Sequence, residues 1–340
     1  MNKVAVVILN YNGADMLARF LPSVVEYSPE AQVIVADNGS TDDSVAQVRA
    51  FFPAVEVIEL GSNFGFAEGY NRALAQVSAE YYILLNSDVK VTRGWIAPLL
   101  AQMEACEQVV ACQPKLLSYN KKTHFEYAGA AGGFIDKYGY PYCRGRLFDT
   151  VEPDNGQYDA PCPVFWATGA ALMVRSSVFK TVGGLDGSFF AHMEEIDLCW
   201  RMLARGGVVM AVPASVVYHV GGATLAKSNP RKTYLNFRNN LLLLYKNLPA
   251  GQLAAVLRVR SVLDYVAAVK FLLTGCWGDF KAVLRARRDF NRIKKDYTAA
   301  RNENMRLAVT EPATSGFSLL WQYYAKVKRL FTQLPKGVND

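Results

Sequence analysis

The stretch Tyr81-Tyr82-Ile83-Leu84-Leu85-Asn86-Ser87-Asp88-Val89 decides the fold. Five apolar or aromatic residues end abruptly on Asn86-Ser87-Asp88. A short continuous apolar run fits a strand covered on both faces, the condition of strands in a parallel sheet. Such a strand delivers its polar end to the carboxyl edge of the sheet, where open α/β sheets bind ligands.

Working outward, the same grammar repeats. Val4–Leu9, Val33–Ala36, Val55–Leu60, Tyr81–Leu85 and Val109–Cys112 read as strands. Ala14–Tyr27, Thr41–Phe51, Ala67–Val77 and Arg93–Cys106 between them read as helices, with Ser40-Thr41-Asp42-Asp43 capping the second. The pattern predicts an α/β fold with a mainly parallel sheet and helices on both faces. Four strand ends are rich in Asn, Asp and Gly: Asn10-Tyr11-Asn12-Gly13, Asp37-Asn38-Gly39-Ser40, Gly61-Ser62-Asn63-Phe64-Gly65 and Asn86-Ser87-Asp88. One such end is a turn. Four on one edge make a ligand crevice.

Residues 113–165 carry several Gly, Pro, Tyr and Asp with weak periodicity, and read as a long irregular excursion lining a site. Regular structure resumes at Ala170–Val174, with a helix over Glu194–Ala204 and strands over Val208–Val212 and Val216–His219.

Beyond about Tyr234 the chain turns helical and basic. From Leu225 onward 21 Lys/Arg stand against 7 Asp/Glu, a net of +14, while the remainder has 16 against 23, a net of −7; together they give the +7 of the whole. A basic appendage calls for an anionic partner. Phe280, Val283, Leu284, Phe290, Ile293 and Tyr297 share one helical face, with Lys281, Arg285, Arg288, Arg292 and Lys295 largely elsewhere. That pattern suits a basic amphipathic helix lying on an anionic membrane surface, or a helix packed on the catalytic domain with a solvated basic side. No apolar run reaches the roughly 18–20 residues of a membrane span. No aromatic-basic platform points to nucleic acid. The opening run Val4–Leu9 breaks on Asn10 without a small-residue cleavage site, so it reads as a core strand and not a signal peptide. Six scattered cysteines without a C-x-x-C pair fit reduced thiols in a cytoplasmic protein.

The chemistry of the edge narrows the ligand. No G-x-G-x-x-G follows the first strand and no G-x-x-x-x-G-K-[ST] occurs, which argues against a dinucleotide fingerprint and excludes a P-loop. Asp88 has no Lys beside it in the sequence. A carboxylate at such an edge suits Mg²⁺ or Mn²⁺ bridging to phosphates, so Asp88 is expected to point at a metal carrying a diphosphate.

VVILNYNG, VIVADNGSTDDS, NFGFAEGYNRAL and YYILLNSDV, followed by GAALMVRSSVFKTVGGLDGSFFAHMEEIDLCWR and VYHVGGAT, resemble family 2 glycosyltransferases of the GT-A fold in order and spacing. The rhamnosyltransferase-like branch is the most similar, and the likeness covers about residues 3–245. It implies a catalytic domain over 1–235 and a helical basic region over 236–340. By this resemblance Asp37 holds a uracil or thymine imide, a charge-assisted bond. Asn10, Tyr11 and Asn12 line the nucleotide pocket. Asn63, Gly65, Gly69 and Asn71 let backbone approach the nucleotide sugar or its phosphates. The family's D-x-D is Asn86-Ser87-Asp88 here. Asp88 keeps the metal-binding position, Asn86 is a poorer ligand that can hydrogen-bond ribose or phosphate, and His219 completes the metal site. The E-D-x-D pattern appears as Glu194-Glu195-Ile196-Asp197. Glu195 stands where the general base stands, Glu194 is the second catalytic candidate, and Asp197 with Arg201 forms a structural i,i+4 pair. Gly169 and Ala170 make room for the donor sugar. Trp166 and Trp200 suit either sugar stacking or the core.

The resemblance implies a metal-dependent inverting transferase. It would move a sugar, rhamnose by likeness, from a dTDP- or UDP-linked donor to a glycan or lipid-linked saccharide at the cytoplasmic face of the membrane. Two other readings stand beside it: a non-catalytic nucleotide-sugar or glycan-binding module, kept open by Asn86 and Glu195, and a sugar nucleotidyltransferase, which lacks here its Gly-rich loop with Arg and Lys. A processive synthase lacks here its membrane spans and Q-x-x-R-W motif.

Overall fold

The computed structural model describes residues 2–221 and 229–335. Residues 222–224 of the VYHVGGAT stretch lie outside them. The first half runs β1 (Asn2–Asn10), α1 (Ala14–Tyr27), β2 (Ala31–Asp37), α2 (Ser44–Phe51), β3 (Glu56–Glu59), α3 (Gly65–Leu74), β4 (Ala79–Asn86), β5 (Val89–Val91), α4 (Ile96–Ala105) and β6 (Val109–Ser118). Four short strands follow: β7 (Gly133–Ile135), β8 (Pro141–Cys143), β9 (Arg146–Leu147) and β10 (Thr150–Val151). Then come β11 (Cys162–Pro163), β12 (Ala171–Arg175), α5 (Ser176–Thr181), α6 (Glu194–Ala204) and β13 (Val208–His219). Helices α7 (Pro230–Asn247), α8 (Ala250–Leu273), α9 (Trp277–Ile293) and α10 (Thr298–Leu307) complete the chain with short turns after them.

The main sheet runs β3-β2-β1-β4-β12-β6-β13-β11, with β5 added to β13. Strands β3, β2, β1 and β4 are mutually parallel, β6 is parallel to β13, and β12 is antiparallel to its neighbours. The expected mainly parallel sheet is what forms. Alternation along each strand sorts side chains into two cores. Val4, Val6 and Ile8 of β1, with Tyr81, Ile83 and Leu85 of β4, pack with α1 and α4. Ala5 and Val7, with Tyr82 and Leu84, pack on the other face with α3 and α6. Tyr81–Leu85 are all within 1% of full burial. At about 1.5–3 kcal/mol per large apolar side chain, a one-residue slip would be prohibitive, so the register that puts Asn86 at the edge is fixed.

Two expectations are corrected. Residues 113–165 are not irregular: β6 continues to Ser118, and β7–β10 form a second, antiparallel sheet. Strands β7–β9 are largely buried, and close approaches there replace periodicity. A Cβ at Gly133 would fall 2.0 Å from the Trp166 ring. The segments expected as two strands over 208–219 are one strand, β13, with a register shift between Val212 and Val216. Trp166 and Trp200 are core residues: the Trp166 indole donates to the Phe134 carbonyl and Trp200 packs edge-on against Phe165.

The helical C-terminal region shares one of these cores, through Leu241–Leu244, Phe290, Leu319 and Tyr323. The helix expected to face a bilayer, α9, turns Val283 and Phe290 inward and packs against α7 and α8. Its apolar stripe is largely covered by protein, with Leu284 left exposed, and Arg285, Arg288 and Arg292 sit in solvent around Asp289. The packed-helix alternative therefore holds for α9.

A buried ion cluster ties α6 to α7. Asp197, fully buried, accepts from Arg201 Nε at 2.8 Å, as the i,i+4 spacing implied, and also from Lys246 Nζ at 2.9 Å and Asn247 Nδ2 at 2.8 Å. Burial pushes its carboxyl up, but Lys246 and Arg201 outweigh that and bring it down to about 2. A depressed carboxyl stabilises the fold above the unfolded value of about 3.9 and loses that contribution as pH falls. Asp197→Ala leaves the buried Arg201 guanidinium without its carboxylate and Lys246 with Asp186 alone. The expected cost is about 3–5 kcal/mol in urea unfolding at neutral pH, with the difference from wild type closing as pH falls from about 4 toward 2. A variant as stable as wild type at neutral pH would contradict the cluster.

Candidate active site

The site is built where strands end. Asn10 of β1 stands opposite Asp37 of β2, and Leu9 opposite Asn86 of β4. Asn10, fully buried, donates from Nδ2 to Asp37 Oδ1 at 3.0 Å and to the Ser40 and Ser44 hydroxyls at 3.1 and 2.9 Å. Asp37 Oδ2 accepts the Gly39 and Ser40 amides at 3.1 and 3.0 Å. Asp37 is thus a structural post for the β2 turn as well as a carboxylate at the crevice. Asn12, at φ 49°, accepts the Thr41 amide at 2.7 Å and stitches the two turns together. Tyr11 is half exposed on the rim. Asp42 accepts the Ser44 and Ala14 amides, the helix-start role expected of it.

The third strand end is organised by Asn38, which the sequence reading did not single out. Its side chain accepts the Phe64 amide at 3.0 Å and donates to the Gly65 carbonyl at 3.0 Å and Asn63 Oδ1 at 3.2 Å. Gly65 sits at φ +79°, and a Cβ there would lie 2.5 Å from the Phe190 ring. Leu9 and Asn38 crowd Gly69. Asn71 spends its amide on the Leu185 backbone, donating at 2.7 Å and accepting at 3.0 Å. Gly65 and Asn71 therefore meet the 184–190 loop directly.

The fourth end answers what Asp88 faces. Pairing of β5 with β13 sets Val89 opposite His219. His219 Nε2 lies 3.0 Å from Asp88 Oδ1 and 3.5 Å from the Asn86 amide. Its Nδ1 lies 3.4 Å from Glu126 Oε2, an ion-pair contact and not a well-aligned hydrogen bond. Burial disfavours the His219 cation, yet Asp88 and Glu126 together raise it to about 10. Burial likewise pushes the Asp88 carboxyl up, but the His219 hydrogen bond and charge hold it below its ordinary value. Glu126, buried at the start of the 113–165 excursion's folded part, was not foreseen. No local pattern marks it, since its partner is 93 positions away in sequence.

Asp88 offers a hard oxygen and His219 an imidazole nitrogen. Among the described residues no group of three or more His, Cys, Asp or Glu is arranged to cage a metal. Two protein donors fit a Mg²⁺ or Mn²⁺ ion that takes its other ligands from phosphates and water, and do not fit an all-protein cage.

Across the same edge, the Asn86 backbone N–H donates to the Ala170 carbonyl at 3.0 Å. Gly169, one residue before, is held between Phe66 and Glu195: a Cβ there would sit 3.1 Å from the Phe66 ring and 3.7 Å from Glu195 Cβ. Glu195 and Glu194 open α6 after a strained approach. Phe190, His192 and Met193 all adopt positive φ, 64°, 70° and 74°. Each such residue costs about 1–3 kcal/mol and persists only where its surroundings enforce it. Asn239 of α7 supplies the enforcement, donating to the Phe189, Ala191 and His192 carbonyls at 2.8–2.9 Å. Oε2 of Glu194 and Oε2 of Glu195 are both buried and unpartnered within the protein. Burial raises both carboxyls, and for Glu194 the adjacent Glu195 charge adds to it. Buried carboxyls with an unpartnered oxygen, held above the ordinary range, mark a candidate site for proton transfer.

Residues 5–162 match the model of glycosyl transferase family 2. Over 233 residues the chain is 28% identical to N-acetylglucosaminyl-diphospho-decaprenol L-rhamnosyltransferase of Mycobacterium tuberculosis, covering 63% of this chain and 75% of that one. It is 25% identical over 225 residues to rhamnosyltransferase WbbL of Escherichia coli, covering 64% and 83%. Among solved structures, GalNAc-T7 with UDP, GalNAc and Mn²⁺ superposes at a TM-score of 0.59 and 16% identity over 93% of this chain and 59% of that one. The mannosyltransferase PcManGT of Pyrobaculum calidifontis with GDP-Man and Mn²⁺ gives 0.53 and 14%, over 90% and 85%. These structures carry the GT-A fold, and the chain is a glycosyltransferase of that architecture. Its likeness to glycosyl transferase family 2 lies in residues 5–162.

The electrostatics predict two behaviours. Glu194 binds its proton more tightly folded than unfolded, where its value is about 4.3. The protonated carboxyl is compatible with the fold at low pH, and stability falls as pH rises through the shifted value. Glu194→Gln should therefore unfold at higher urea than wild type at pH 8, by about 1–3 kcal/mol, with the gain shrinking at pH 5. A gain independent of pH would remove the buried charge as its cause. Separately, a metal ion at His219 must displace a proton. Titration calorimetry at pH 7 in buffers of differing ionisation enthalpy should show about one proton released per Mn²⁺ bound, and none in His219→Ala.

Proposed function

We propose that this enzyme transfers a sugar, rhamnose, from a dTDP-linked donor to a hydroxyl of a glycan or lipid-linked saccharide, with inversion and with a divalent metal. The observation that carries the reading is one sheet edge: the Asp88–His219 pair and, beside Gly169, Glu195 with its buried, unpartnered Oε2. The rhamnosyl donor rests on the two relatives named as rhamnosyltransferases.

In this reading Asp37, already held by Asn10 and the turn amides, orients the base of the donor, while Tyr11 and Asn12 line its rim and Asn63 with Asn86 face its sugar and phosphates. Asp88 and His219 would hold Mg²⁺ or Mn²⁺, which when bound neutralises negative charge on the diphosphate. Glu195 takes the proton of the acceptor hydroxyl as its oxygen bonds to the anomeric carbon and the bond to the diphosphate breaks. One displacement inverts the centre, so no enzyme nucleophile is needed. Glu194 is the second catalytic candidate, a buried neighbour whose proton is held by burial and by the Glu195 charge. The functional division is a catalytic part over 1–235 and a helical basic part over 236–340. The protein works in the cytoplasm at the inner face of the membrane, and nucleic acid has no part in it.

The test is turnover of UDP-, dTDP- and GDP-sugars with a lipid-diphosphate-linked saccharide, in Mn²⁺ and in EDTA. We expect dTDP-rhamnose to be used, EDTA to abolish turnover, and Asp88→Ala to follow EDTA. Glu195→Gln should lower kcat about 10²–10⁴-fold while donor Kd stays within a few-fold. Tight nucleotide binding without turnover of any donor would leave a binding module instead.

A further inference from the structure

A helix on a protein surface normally buries its apolar stripe and exposes its charges. Helix α8 does the reverse. Its inward residues are Val256, Arg260, Asp264 and Ala268. Its outward side carries Val262, Val266, Val269 and Leu273, exposed by 64%, 60%, 51% and 81%. The inward charges are satisfied within the protein. Asp264 accepts from Arg287 at 2.6 Å and lies 3.3 Å from Arg260, whose guanidinium also donates to the Tyr138 carbonyl and stacks over Tyr140. Polar groups thus face protein, and the outward side is a ridge about 16 Å long of aliphatic side chains.

The surroundings of the ridge specify what covers it. Tyr265 and, just beyond the helix, Trp277 are exposed. Lys270 reaches over the ring of exposed Tyr324, which brings the 321–330 segment, with exposed Trp321 and Lys326, alongside. Arg258 and Lys270 are exposed, and the sole acid of α8 is the buried Asp264. An apolar ridge with Trp and Tyr at its margins and cations on its flanks matches the layered chemistry of a bilayer interface, where aliphatic groups enter the acyl boundary and Lys/Arg meet anionic headgroups. A second copy is the poorer partner, since a two-fold contact would set this basic region against itself. No helix among the described residues is long and apolar enough to cross a membrane.

We propose that the outward face of α8, from Val262 to Leu273 with Trp277, docks the enzyme onto an anionic lipid bilayer as an interfacial helix. The proposal locates the membrane contact of the function given above and so rests on that reading. Vesicle binding needs neither donor nor metal, so either can fail without the other.

Flotation of the full chain with vesicles of phosphatidylcholine, with or without a quarter of phosphatidylglycerol, tests it. The expected result is binding to the anionic vesicles, weakened by salt, with a blue shift of Trp fluorescence. Val266→Glu with Val269→Glu should lower partitioning about tenfold or more. Arg258→Ala with Lys270→Ala should lower it by a smaller factor and flatten its salt dependence. Arg288→Ala with Arg292→Ala, on α9, should leave it unchanged. All these side chains are exposed, and unchanged thermal unfolding verifies folding. Three results would overturn the proposal. One is no binding by wild type. Another is undiminished binding by the Val266/Val269 variant. The third is a wild-type dimer in light scattering that this variant dissolves, which would make the ridge a self-association face.

Discussion

The site depends on the short antiparallel pairing of Val89–Val91 with Val217–His219. That pairing sets His219 at hydrogen-bond distance from Asp88, 131 residues away in sequence. It is possible because β4 is buried on both sides and cannot slip, so the chain must turn at Asn86-Ser87-Asp88 where the sheet ends. Glu126 then secures the far side of the imidazole. A carboxylate that would be costly alone in a buried edge is made tolerable by an imidazolium, and an arriving cation can take over that role.

Two kinds of carboxylate result. Asp88 and Asp197 sit among cations and stay ionised. Glu194 and Glu195 sit without cations and are pushed upward. A site that separates its carboxyls this way divides labour between charge binding and proton transfer. The strain at Phe190, His192 and Met193, held by Asn239, shows where the fold invests stability to set the second kind in place.

Much of this was legible in the sequence because it is local. Apolar runs with polar ends locate Asn10, Asp37, Asn63 and Asn86 on one edge, and the unbroken apolar runs of β1 and β4 mark strands covered on both faces. What was not legible depends on distant partners. Glu126 becomes meaningful only through His219, Lys246 only through Asp197, and Asn239 only through the 189–192 carbonyls. Residues 113–165 looked irregular because short strands held by glycine contacts carry no period. The C-terminal helices show the same limit twice. The stripe of α9 was legible as apolar, but the sequence alone did not choose between a bilayer and its packing against α7 and α8. The inversion of α8 was hidden because Arg260 and Asp264 look like surface residues until Arg287 is found beside them.

The central claim is that Asp88 and His219 together receive the metal of a nucleotide diphosphate. Anomalous diffraction from crystals soaked with Mn²⁺ and dTDP tests it most directly. The account predicts one manganese peak in contact with an Asp88 oxygen, His219 Nε2 and the diphosphate, lost in Asp88→Ala crystals. Diphosphate density at the strand edge with the metal elsewhere, or with the Asp88–His219 contact intact beneath it, would contradict the account.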